Sequence, residues 1–144
     1  DELQPNRDRM EEQVIHYCVA HGIPIIATCR GMQYINVMFG GKLWYHPKLP
    51  VNRTRGVDHQ VWLVKEQRNI WVNNYHSDCI YEEGLASCFE PLAIDRENHV
   101  VEAYGSDEMK ILALQWHPER RFETANAYEE TRKIILDFIQ KYVK

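Results

Sequence analysis

No apolar run in the 144 residues approaches the roughly 20 needed to cross a bilayer, and no signal-peptide pattern is present. A membrane is therefore not an expected partner, and a cytoplasmic location is expected. Runs of Lys and Arg are also missing. With 17 basic residues against 21 acidic ones the formal net charge is -4, which argues against nucleic acid as a partner. The four cysteines, Cys18, Cys29, Cys79 and Cys88, form no C-x-x-C pair, so a zinc knuckle is not expected and free thiols are the simplest reading. His16 and His21 stand five apart, a poor spacing for a metal pair on a helix. No metal and no cofactor are expected. There is no internal repeat, no low-complexity tract and no phosphate-binding loop of the kind a flavodoxin-like binding domain needs. What remains is an ordinary globular composition, 44% hydrophobic and 26% charged, long enough for one domain with a core.

The chain is organised around Gly22 to Asn36. Ile23 to Ala27 is a short apolar run, which reads as a buried strand, parallel and covered on both faces. Met32, Ile35, Asn36 and Phe39 then recur at helical spacing until Gly40-Gly41. Cys29 falls at the turn between the two elements, and Gly31 sits where close packing is expected to exclude a side chain. A residue at such a turn projects above the carboxyl end of a sheet. The helix N-terminus that follows favours thiolate there, and the Arg30 N–H is placed to donate to an oxyanion. On this stretch alone a small buried hydrophobe is an equally good description of Cys29.

Upstream, Asp1 to Asn6 suits a loop. Asp8 with Glu11 resembles a capping box, and Met10, Val14, Ile15, Cys18 and Val19 mark one helical face ending at Gly22. Downstream, Lys42–Tyr45 suits a short strand. His46 to Asp58 reads as a loop, locally basic through Lys48, Arg53 and Arg55, either solvated or facing a substrate or partner. His59–Val64 and Ile70–Tyr75 suit a hairpin. The polar cluster Asn73-Asn74-Tyr75-His76-Ser77-Asp78 is either turn chemistry or a binding segment. Leu85–Ile94 and His99–Tyr104 read as strands. Cys18, Cys79 and Cys88 read as packing residues, and His59 and His76 as structural more than catalytic.

Ile111–Trp116 is a second buried strand, ending in His117-Pro118-Glu119. Pro118 holds His117 extended, so His117 and Glu119 can project to one side. An amphipathic helix from about Thr124 to Tyr142 closes the chain. In a doubly wound sheet the two strand ends share an edge. That brings together a thiol, an imidazole and a carboxylate, the nucleophile, base and orienting group of covalent hydrolysis. The expected fold class is α/β: a mostly parallel, doubly wound sheet with flanking helices and a small antiparallel region.

Thr28-Cys29-Arg30-Gly31-Met32-Gln33 together with Gln115-Trp116-His117-Pro118-Glu119 resembles the class I glutamine amidotransferases. Cys-Arg-Gly and Val72-Asn73-Asn74-Tyr75-His76, with Arg7-Asp8 and Glu11, are most similar to the γ-glutamyl-γ-aminobutyrate hydrolase (peptidase C26) branch. The resemblance implies Cys29 as nucleophile, His117 as base, Glu119 as the orienting carboxylate and Arg30 as an oxyanion donor. It implies that Gln33, Asn73, Asn74, Tyr75 and His76 hold the γ-glutamyl end of a small-molecule substrate. The implied reaction is cysteine-dependent hydrolysis of a γ-glutamyl amide through a thioester. One alternative is a glutaminase subunit passing ammonia to a synthetase partner. Another is a truncated, non-catalytic binding relative. Ala27 and Asn74 depart from the family's more frequent Gly and Ser. The chain opens on Asp1, and the family's earlier strands and glycine-rich loop have no counterpart in it. Residues 1–144 are therefore expected to be one N-terminally incomplete domain with an exposed sheet edge and little activity alone, since a lost oxyanion donor costs about 3 kcal/mol. A completing N-terminal segment, a synthetase or a homodimer partner are the associations expected.

Overall fold

The computed structural model describes residues 5–49 and 54–143. The loop reading of Asp1 to Gln4 and the contribution of Arg53 fall outside them. Helix α1 (Pro5–Ala20) begins at a proline, which has no N–H to leave unsatisfied in a first turn, so the expected loop ends earlier than Asn6. Asp8 lies inside this helix and does not cap it. Its carboxylate and that of Glu11 meet the guanidinium of Arg30. The expected apolar face is only half used: Ile15 is buried, whereas Met10 and Val14 are 67% and 55% exposed.

Gly22, at φ +67, reverses the chain into strand β1 (Ile25–Thr28). This strand pairs in parallel with β6 (Ile111–Leu114), in the register Ile25 to Ile111 and Thr28 to Leu114. Coverage on both faces is not what β1 shows. Ile26 is 39% exposed, and among the described residues β1 is the edge of the sheet, with β6 alone beside it. Helix α2 (Arg30–Met38) buries Met32, Gln33, Ile35 and Asn36. The Asn36 amide donates to the Gly84 carbonyl at 3.0 Å and accepts from the Ala86 N–H at 2.8 Å. A Cβ at Gly41 would lie 2.3 Å from that amide, so the glycine after α2 leaves room for the tie. The space expected to be closed at Gly31 is open: a Cβ there would meet Ala27 at 3.5 Å, an ordinary contact.

Strands β2 (His59–Leu63) and β3 (Arg68–Val72) form the expected hairpin. Then come β4 (Glu90–Asp95), β5 (Val100–Ser106) and β6, in the spatial order β1-β6-β5-β4-β2-β3. The strand expected from Leu85 starts only at Glu90, after a short 3-10 turn at Glu82–Gly84. Lys42–Tyr45 contributes a single bridge, Trp44 to Cys79. The fold is α/β with helices on both faces. Its parallel ladder is β1 with β6, and the other ladders are antiparallel.

Period-two alternation along β6 feeds two cores. Ile111 and Ala113 pack on the side of α1 and α2 with Met32, Ile35 and Tyr104. Leu112 and Leu114 pack on the other side with Trp116 and Phe138 of helix α3 (Ala127–Tyr142). The Trp116 indole N–H donates to the Thr131 hydroxyl at 3.1 Å, which anchors the segment leading to His117 against α3. No helix among the described residues is long and apolar enough to cross a membrane.

Candidate active site

The register of β1 on β6 does the first positioning. The Cys29 N–H donates to the Leu114 carbonyl at 2.8 Å, so the residues following the two strands start side by side. Cys29 then turns into α2 at φ 49, ψ -108, a backbone region that residues with a Cβ avoid. Its side chain lines a cleft of about 790 Å³ together with Arg30, Gln33, Tyr75, His76, His117 and Arg120. A second cavity of about 520 Å³ lies between α3 and the β4–β5 side, without Cys29 or His117 in its walls.

His117 is held from two directions. Its Nδ1 is 2.9 Å from Glu119 Oε2. Its backbone N–H donates to Asn73 Oδ1 at 3.0 Å, and its carbonyl accepts from Asn73 Nδ2 at 2.8 Å. The Tyr75 ring meets the imidazole edge-on at 6.1 Å. Burial alone would raise the Glu119 carboxyl, but its own backbone N–H, His117 and Arg120 hold it below the usual range. It is therefore an anion beside the ring, and an Nδ1–H pointing at it leaves Nε2 as the basic nitrogen.

Thiolate character is not favoured as the helix N-terminus suggested. Burial pushes the Cys29 thiol up, against the opposing pull of the Arg30 backbone N–H, Arg120, Arg55 and the Gln115 amide. The thiol thus needs a proton acceptor to become a nucleophile.

The other expected residues divide by exposure. Tyr75 faces the cleft, flanked by the guanidiniums of Arg120 at 4.8 Å and Arg55 at 5.8 Å from its ring centre. Asn73 is fully buried, its amide engaged by the His117 backbone. Asn74 is buried and donates to the Thr54 carbonyl at 3.2 Å. Gln33 is buried against the Asp78 carbonyl and Gln115. The His76 ring is buried, with Nδ1 on the Asp78 carbonyl at 2.8 Å and Nε2 3.5 Å from Glu102 Oε2. Since a carbonyl only accepts, Nδ1 carries a proton, and the contact with Glu102 holds only with a second proton between the two groups. His59 Nε2 lies 3.5 Å from the other oxygen of Glu102. Arg30 sends its side chain back to α1 and leaves only its backbone N–H at the thiol.

Among the described residues no cluster of His, Cys, Asp and Glu is placed to hold a metal. Of the other cysteines, Cys79 is buried, Cys18 half-buried and Cys88 exposed. Cys88 is thus not the packing residue expected.

Three residues of the cleft region carry no individual role in the sequence reading, although Arg55 and Gln115 lie in stretches it singles out. Arg120 directly follows Glu119, Arg55 stands in the basic loop, and Gln115 opens the second motif, 3.8 Å from Cys29 Sγ through Nε2. A glutamine in each motif is the trace that the sequence holds of Gln115, and its contact with Gln33 comes from the parallel register of β1 and β6.

A cysteine on a strained strand-to-helix turn, with an oriented histidine just past the end of the parallel neighbour strand, fits the class I glutamine amidotransferase-type α/β proteins. The chain belongs to the peptidase C26 family, whose model matches residues 1–119. It is 31% identical over 136 residues to a glutamine amidotransferase-like protein of Lactococcus lactis, covering 83% of this chain and 56% of that one. It is 28% identical over 143 residues to the gamma-glutamyl-gamma-aminobutyrate hydrolase of Escherichia coli, covering 82% and 54%. The crystal structure of a glutamine amidotransferase from Thermotoga maritima shares the fold at a TM-score of 0.63 and 18% identity, over 92% of this chain and 55% of that one. The chain spans about half the length of these curated relatives.

Proposed function

We propose that the protein hydrolyses a γ-glutamyl amide through Cys29. His117 Nε2 takes the thiol proton as sulfur attacks the γ-carbonyl carbon. The resulting oxyanion accepts the Arg30 N–H. Collapse breaks the C–N bond, His117 returns its proton to the leaving amine, and a γ-glutamyl thioester remains. Water, deprotonated by His117, then releases glutamate and regenerates the thiol. Glu119 holds the imidazole in the tautomer that leaves Nε2 free. Tyr75 with the His76–Asp78 backbone borders the space for the glutamyl group, whereas Asn73 acts through His117. A small-molecule γ-glutamyl compound is the substrate class in this reading.

The observation that carries it is the Cys29 turn facing the same cleft as His117, whose Nδ1 is fixed at 2.9 Å on Glu119. A diazo-ketone glutamine analogue, read by peptide mass spectrometry, tests it. Selective labelling of Cys29 that disappears in His117→Ala is the expected result. Absence of Cys29 labelling, in this chain and in the full-length protein alike, sinks the hydrolase reading. Glutamine turnover that needs an added synthetase would instead favour the ammonia-delivering reading.

A further inference from the structure

Gln115 is fully buried at the end of β6, yet none of the steps above uses it. Its side chain lies between two others. Nε2 is 3.8 Å from Cys29 Sγ, and Oε1 is 3.3 Å from Gln33 Nε2. Gln33 Nε2 in turn lies 3.2 Å from the Asp78 carbonyl oxygen.

An isolated side-chain amide can face either way, but this one cannot. The Asp78 carbonyl has lone pairs and no proton, so the atom of Gln33 facing it is the NH2. That same NH2 faces Gln115, so the Gln115 atom it meets is the carbonyl oxygen. The other end of the Gln115 amide, the NH2, is then left pointing at the sulfur. The imidazole N–H of His76 converges on the same Asp78 carbonyl at 2.8 Å, and Glu102 backs that ring from β5. The order is thus set from the Asp78 main chain inward, through groups that are all buried.

We propose that Gln115 is a catalytic residue whose side-chain NH2 stabilises the Cys29 thiolate, and that Gln33 is a positioning residue that fixes the direction of that amide. The proposal rests on Cys29 being the nucleophile. A donor aimed at sulfur helps the thiolate far more than the thiol, because hydrogen bonds to an ionised acceptor are about twice as strong as neutral ones. It works against the burial that pushes the thiol up. The other charged or titratable groups around the thiol, Arg55, Arg120 and His117, stay in place in both variants below. Proton transfer to His117 then starts from a sulfur whose anion is already provided for.

The test is the pH profile of Cys29 alkylation by iodoacetamide, followed on the Cys29 peptide so that Cys18 and Cys88 do not contribute. Gln115→Met keeps the volume and removes the donor. Its profile is expected to move to higher pH by about one unit, a roughly tenfold slower reaction on the rising limb, with the same limiting rate at high pH. Gln33→Met frees the Gln115 amide to turn and should move the profile the same way by a smaller amount. A purely structural role would lower thermal stability and leave the profile where it is. If Gln115→Met does not fold, as read by circular dichroism, Gln33→Met carries the test alone. An unmoved profile in Gln115→Met overturns the catalytic role. An unmoved profile in Gln33→Met overturns the positioning role and, where Gln115→Met is unfolded, the whole proposal. Iodoacetamide needs no γ-glutamyl group, so a wrong substrate class shows only in the glutamine-analogue labelling and leaves this result standing.

Discussion

His117 is tied to Asn73 at the end of β3 as well as to Glu119 and Arg120 of its own segment. The buried Asn73 amide accepts from the His117 N–H and donates to the His117 carbonyl, which also accepts from the Arg120 N–H. Asn73→Ala leaves the His117 N–H without its partner, at about 1–3 kcal/mol, while the His117 carbonyl keeps the Arg120 N–H at 3.1 Å. Chemical denaturation should show a loss of that order, and in the proposed reaction turnover should fall about 100-fold because the segment that carries His117 is no longer held in place. Glu119 acts differently, since its side chain is 63% exposed and its loss costs little stability. Glu119→Gln should lower kcat by about 100-fold with KM nearly unchanged, and the folded fraction should be the same as in the parent. The two substitutions separate a residue that builds the site from one that orients its chemistry.

At the scale of elements, the turn from β1 into α2 stores strain at Cys29 itself, at φ 49. Relief of such a conformation is worth about 1–3 kcal/mol, against up to about 1 kcal/mol of extra chain entropy for glycine. Cys29→Gly should therefore unfold at higher denaturant than the parent by about 1 kcal/mol while losing all labelling; an unchanged midpoint would mean the turn is relaxed. Strand β1 ahead of this turn and its neighbour β6 were legible because their apolar runs are short, contiguous and bounded by glycine or polar residues. So was the β2–β3 hairpin, from its alternation. Helix α1 was not. The partner of Asp8 is Arg30, 22 positions away, and no local rule distinguishes a capping carboxylate from one that waits for a guanidinium from another helix. The thiol was misjudged for a related reason. A helix N-terminus is visible in sequence, but the burial that opposes it comes from the tertiary fold. The His117–Glu119 contact could be anticipated from two residues and a proline. The Gln115–Gln33 contact could not, because it depends on the parallel register of strands 86 residues apart.

Over the whole molecule, the two cores lie back to back across the sheet. One of them encloses Tyr104, fully buried, its hydroxyl donating to the Met32 carbonyl at 2.5 Å. Burial pushes this phenol far above its ordinary value of 10.0. The folded chain therefore keeps a proton that the unfolded chain releases above pH 10, and stability falls as pH rises through that point. Relative to Tyr104→Phe, the parent should lose about 1.4 kcal/mol more per pH unit above 10, measured as denaturation midpoints across that range. Equal slopes would show that the ring is wetter than its packing indicates. Below pH 10 the order reverses, and the parent should be the more stable of the two by the hydroxyl's bond to Met32, about 1 kcal/mol.

The carbonyl of Asp78 has a consequence for heredity. It is main chain, so every codon at that position supplies it equally. Any of the twenty residues that leaves the segment in place preserves the orientation of both glutamine amides. Point mutation of Gln33 or Gln115 can delete an amide from the series, but a change of side chain at residue 78 does not remove the carbonyl that sets its direction. An insertion or deletion that shifts the Asn73–Asp78 segment can do that, so comparisons that score residue 78 by its side chain alone, which accepts the His46 N–H, will overlook its carbonyl.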